Sequence, residues 1–133
     1  MRVVLTTVLL TISSYAFSQK AFEFAYYYGK TKNFEIKLSL ANGYILGSEI
    51  IKTDIKTGKK VKYFPNEVPG KNGHSLVFLP DSNDKTVRIR KRDNIILHKI
   101  KEAYESLPGK INGIYGIDLK TYSFKLHHQS ANH

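Results

Sequence analysis

A two-residue rhythm constrains this chain more than any other feature. Phe34, Ile36, Leu38 and Leu40 share one face of an extended segment and Glu35, Lys37 and Ser39 share the other, the pattern of a half-buried β-strand. Asn42-Gly43 follows, a dipeptide that accepts positive φ at both central positions of a type I′ turn, so residues 44–54 are expected to fold back antiparallel. Lys56-Thr57-Gly58-Lys59 marks a second reversal, with glycine in the left-handed position and residues 61–64 as the returning strand.

The same rhythm continues with interruptions. Residues 65–73 combine proline, glycine and asparagine without periodicity and read as a loop. Residues 75–79 form a short apolar strand stopped by Pro80, and residues 86–91 alternate again with Val87 and Ile89 inward. Residues 95–107 admit two readings. As a helix they would align Ile96, Ile100, Ala103, Tyr104 and Leu107 between Asp93 or Asn94 and Pro108-Gly109; as a strand, residues 95–100 would pair back and leave only 101–106 helical. Residues 114–117 and the alternating Tyr122, Phe124 and Leu126 complete the pattern. The fold class is therefore mainly β: an antiparallel β-sandwich or small β-barrel of about eight short strands, with at most one helix near residues 96–106. Short strands joined by consecutive hairpins favour the sandwich; the barrel is the alternative, and it would hold an interior ligand cavity.

A chain of 133 residues accommodates one such domain. Residues 1–18 read as a cleaved signal peptide: Arg2 is basic, residues 3–14 are apolar but too short for the ~20 residues a spanning helix needs, and Ala16 and Ser18 supply small residues before a cut at Gln19. This leaves a single β-rich domain over 19–126, a flexible polar tail over 127–133, and an exported protein, periplasmic or extracellular. The absence of cysteine excludes thiol catalysis, disulfides and thiolate metal sites together.

The formal net charge of +10 is concentrated. Lys85, Arg88, Arg90, Lys91, Arg92, Lys99 and Lys101 face Asp93 alone, and Lys56, Lys59, Lys60 and Lys62 have no acid among them. In a strand, Arg88, Arg90 and Arg92 would stand roughly 7 Å apart on one face and bridge anionic groups bidentately. With Lys59, Lys60 and Lys62 they form the candidate anionic partner-binding set; the ordinary alternative is a solvated outer face. An anionic glycan, a lipid surface or an acidic protein would be the partner. Nucleic acid is disfavoured by compartment and by the lack of aromatics between the arginines.

In the run Tyr26-Tyr27-Tyr28, alternation puts Phe22, Phe24, Tyr26 and Tyr28 on the core face and leaves Tyr27 beside Glu23 as an aromatic surface candidate for carbohydrate stacking. His127 and His128 are adjacent and so point to opposite faces of a strand, while His74 and His98 are isolated; no metal site and no cofactor is expected. There is no G-x-S-x-G elbow, no P-loop and no telling carboxylate pair, so no catalytic residue is assigned. The reading is an exported, non-enzymatic binding or adaptor domain using a basic surface. The alternative is a barrel-like carrier of a small apolar ligand, and the third is a small hydrolase in which His74 or His98 meets a serine or carboxylate in a pocket.

Overall fold

The computed structural model describes residues 23–66, 75–81 and 92–130. Within them lie eight strands: β1 (Glu23–Lys30), β2 (Phe34–Asn42), β3 (Glu49–Asp54), β4 (Lys60–Pro65), β5 (Leu76–Pro80), β6 (Asp93–Leu97), β7 (Lys110–Ile117) and β8 (Lys120–His128). Each strand pairs antiparallel with the next, and β8 returns to β1 to close a barrel. Of the two architectures open to the sequence, the barrel is the one formed, not the favoured sandwich. Among the described residues no strand changes sheets, so consecutive hairpins curl round until the first and last strands meet and each strand has a neighbour on both sides. The closing seam is the slightest of the ladders: Tyr27 pairs with His128 and Tyr28 with His127, and the Gln129 N–H donates to the Tyr26 carbonyl at 2.8 Å.

Alternation sorts the side chains as the period demands. Ile36, Leu38 and Leu40 of β2, Ile50 of β3, Tyr63 of β4, Phe78 of β5, Ile95 and Leu97 of β6, and Phe124 and Leu126 of β8 all fall in one buried cluster. Size is matched across the interior as well as polarity. Gly113 on β7 pairs with Phe124 on β8, and a Cβ at Gly113 would collide with the Phe124 ring, so the missing side chain is what makes room for the aromatic one.

Local structure departs from the sequence reading in four places. First, Asn42-Gly43 is not a two-residue turn: Gly43 takes φ 91°, but Asn42 is the last residue of β2 and the chain continues through a 3-10 turn at Ile45–Gly47 before β3. Burial of Ile45 drives the longer route. Second, residues 95–97 belong to β6, and the described residues contain no α-helix; residues 98–109 are irregular, with Ile100 buried and Tyr104 packed against the core. Third, β1 faces the opposite way from its expected parity. Ala25 and Tyr27 point inward, while Phe24 and Tyr26 are exposed. Gly29 shares the inward parity, and a Cβ there would strike the Lys125 carbonyl, so the inward line of β1 is the one that needs a residue without a side chain. Fourth, β8 runs past Leu126 through His128, so the tail expected from residue 127 starts as strand. The second reversal behaves as read: Gly58 has φ 73° and its N–H donates to the Asp54 carbonyl. The signal segment and the strand expected over 86–91 lie outside the described residues.

Candidate functional site

An antiparallel meander sends alternate connections to opposite ends of the barrel, and here the two ends differ. Among the described residues, the end reached by the β2–β3 and β6–β7 connections is plugged by its own loops. Ile45 and Ile100 drop from these loops into the core. Asn42 clamps the second loop from both sides, its Nδ2 donating to the Tyr104 carbonyl at 3.0 Å and its Oδ1 accepting the Tyr104 N–H at 2.7 Å. The Gly43 N–H donates to the Glu102 carbonyl, and the Tyr27 hydroxyl donates to the Pro108 carbonyl at 2.7 Å.

At the end reached by the β1–β2, β3–β4 and β7–β8 connections the described residues form a cup of about 920 Å³. Its lining includes Phe34, Tyr63, Tyr115 and Tyr122 as aromatic surface, Ile55, Val61 and Ile117 as aliphatic surface, and Lys32, Lys52, Lys56 and Lys59 against Asp54 and Asp93. The aromatic groups brace one another: Tyr115 and Tyr122 stack with centroids 6.2 Å apart, and Phe34 presents its edge to Tyr115 at 5.3 Å and to Tyr122 at 6.2 Å. Beneath this layer Ile36, Leu38, Ile50, Phe78 and Ile95 are all fully buried in one cluster.

Three polar groups set the electrostatics of the cup. Tyr63 is buried at its floor and donates its hydroxyl to Asp93 Oδ1 at 2.9 Å. Burial first, then the neighbouring Tyr115 and Asp93, hold the Tyr63 phenol well above the ordinary tyrosine range, so it is a permanent donor. Asp54 caps the β3–β4 turn, its Oδ1 accepting the N–H groups of Lys56 and Thr57 at 2.9 Å each. The Thr57 N–H is the largest influence drawing the Asp54 carboxyl below its usual range, and the charge of Lys52 adds to it. Lys52 itself lies on the inward line of β3 two residues from Ile50, and its Nζ stands 4.4 Å from the centroid of the Tyr115 ring.

The residues singled out by sequence are scattered. Arg88 and Arg90 lie outside the described residues. Arg92 reaches across Gly116 and donates from Nη2 to the Lys120 carbonyl at 2.8 Å, while its Nε is enclosed without a hydrogen-bond partner. Lys59 lies on the rim of the cup, and Lys60 and Lys62 are exposed, Lys62 standing 3.9 Å from Glu49. Tyr27 is not a surface aromatic: at 1% exposure, with its ring 5.0 Å from that of His128, it belongs to the sealed end. Ser75 Oγ and His98 Nδ1 approach to 3.4 Å, but this pair is exposed and lies away from the cup. Among the described residues no group of three metal-ligating side chains converges.

Sequence reasoning missed Lys52, Asp93, Tyr115 and the role of Tyr122. The signal that pointed to them was parity: Lys52 and Asp54 continue the inward line of Ile50, so a strand whose apolar face ends in charged residues is a strand that ends at an aqueous opening. The fold and cup together define the class, a closed antiparallel barrel with one plugged end and one amphipathic mouth. No protein family, curated protein or solved structure matches the chain.

Proposed function

We propose that the protein is a non-enzymatic binding domain that holds one small amphipathic molecule in the open end of its barrel. The observation that carries this reading is the cup itself: about 920 Å³, lined by a braced aromatic layer and bordered by charge, at one end of a barrel whose other end is sealed. Binding sites for small molecules are concave, largely preformed, about 300–1,000 Å³ in volume, and lined by aromatic groups with a few fixed polar ones. This favours the carrier over the basic-surface adaptor, since Arg92 spends part of its guanidinium on the protein's own backbone. The fully buried core beneath Tyr63 and Phe34 suits a compact guest better than a long acyl chain. The hydrolase reading draws less support, because the Ser75–His98 pair is exposed and does not line the cup.

The test is a fluorescence titration with N-phenyl-1-naphthylamine, a neutral aromatic probe that brightens when it leaves water. Saturable one-to-one binding, weakened by Tyr122→Ala and untouched by Tyr26→Ala on the outer wall, supports the reading. An absence of saturable binding, or equal losses in both variants, contradicts it.

A further inference from the structure

Resting on the cup as a binding site, we infer that Lys52 selects the guest, its ammonium pairing with a single carboxylate or sulfonate while a compact apolar body lies against Phe34, Tyr115 and Tyr122. The cup is bordered by four lysines and two aspartates, so its charge favours an anion, but the six groups are not equivalent. Lys56 and Lys59 belong to the exposed β3–β4 turn and Lys32 to the exposed β1–β2 turn, where water and salt screen a charge. The described hydrogen bonds of the two aspartates serve the fold: Asp54 Oδ1 holds the turn and Asp93 Oδ1 accepts the Tyr63 hydroxyl.

Lys52 is different in placement. It stands on the barrel wall, half-buried, with the aromatic layer on one side. Its ammonium over the Tyr115 ring is held at the depth where that ring meets a guest, so one molecule touching the Tyr115 and Tyr122 pair brings its acid group within reach of Lys52. A charge in this partly desolvated position gains more from an anionic partner than one in open water does. Asp54 offsets part of the Lys52 charge from the rim side, which suits a guest carrying one negative group and places that group on the aromatic side of the ammonium.

The experiment compares two probes that differ by one charged group. 1-Anilinonaphthalene-8-sulfonate carries a sulfonate on the aromatic skeleton that N-phenyl-1-naphthylamine presents without it. The native protein should bind the sulfonate more tightly than the neutral probe. Lys52→Met should weaken sulfonate binding by about tenfold or more, the value of a charge-assisted contact, and leave the neutral probe within about twofold. Lys52→Arg, which keeps the charge, should retain most of the sulfonate affinity, and Lys62→Gln on the outer wall should change neither. Unchanged melting temperatures separate these effects from misfolding. If Lys52→Met binds both probes as the native protein does, the inference is overturned and the cup remains a binding site. If the native protein binds neither probe, both readings fall together.

Discussion

The two ends of the barrel are built from the same kind of strand and finished in opposite ways. At the sealed end, long connections fold inward: Ile45 and Ile100 enter the core, and Asn42 ties residue 104 to the end of β2 through two hydrogen bonds. At the open end the β3–β4 and β7–β8 connections are tight turns that stay at the rim, made possible by positive φ at Gly58 and at Asp118. The apolar side chains of these turns, Ile55 and Leu119, stay exposed rather than entering the core, and the inward line changes there from Ile50 to Lys52 and Asp54. One end supplies stability, and the other gives up packing to keep a cavity.

The comparison breaks most readily at the plug. Ile45→Ala should cost about 2–5 kcal/mol, as truncation of a fully buried isoleucine does, whereas Lys52→Met at the mouth should cost less than about 1 kcal/mol. Urea denaturation of both variants checks this, and equal losses would mean that the two ends contribute alike. Asn42→Ala comes next. It leaves the Tyr104 backbone groups without their partner, at about 1–3 kcal/mol, and binding in the cup should be unaltered because the loss lies at the far end.

A smaller effect is read in alkali. Burial, with Tyr104 nearby, pushes the Tyr27 phenol up to about 12 from an ordinary 10.0. Between these values the unfolded chain has released a proton that the folded protein still holds, so stability falls as pH rises from about 10. Denaturation midpoints measured upward from pH ~9.5 should decline, and Tyr27→Phe should lessen the slope without abolishing it, because the Tyr63 phenol is raised too. A Tyr27→Phe variant with the full native slope would place the titration elsewhere.

How much of this was legible beforehand follows the strength of each local signal. β2 was unambiguous because apolar and polar residues alternate strictly from Phe34 to Leu40. β1 was not, since Phe24, Ala25, Tyr26, Tyr27 and Tyr28 offer apolar surface at every position; tertiary space decided, and it took the line that holds Ala25, Tyr27 and Gly29. Of Asn42-Gly43 only the glycine takes positive φ, and the length of the connection depends on where Ile45 finds burial, a long-range matter. Residues 95–107 were ambiguous because the apolar spacing suits both periods; pairing of Ile96 with Val77 and Ile114 decided for strand at β6. The cup was hidden for a related reason. Lys52, Tyr63, Asp93, Tyr115 and Tyr122 are spread over five strands, and only barrel closure brings them to one opening. Charge clustering along the chain points to the outer lysines instead, whereas Lys52 continues the inward line of Ile50 and lines the cup.

The most direct test of an asymmetric barrel is a residue-resolved map of where a guest sits. In a nitrogen-15-labelled sample titrated with 1-anilinonaphthalene-8-sulfonate, the amide signals of Asn33, Lys52, Thr57, Tyr115 and Tyr122 should shift together and saturate, while those of Asn42, Gly43, Glu102 and Tyr104 at the sealed end stay in place. Shifts centred on the sealed end, or spread over the outer wall around Tyr26 and Lys62, would contradict the account.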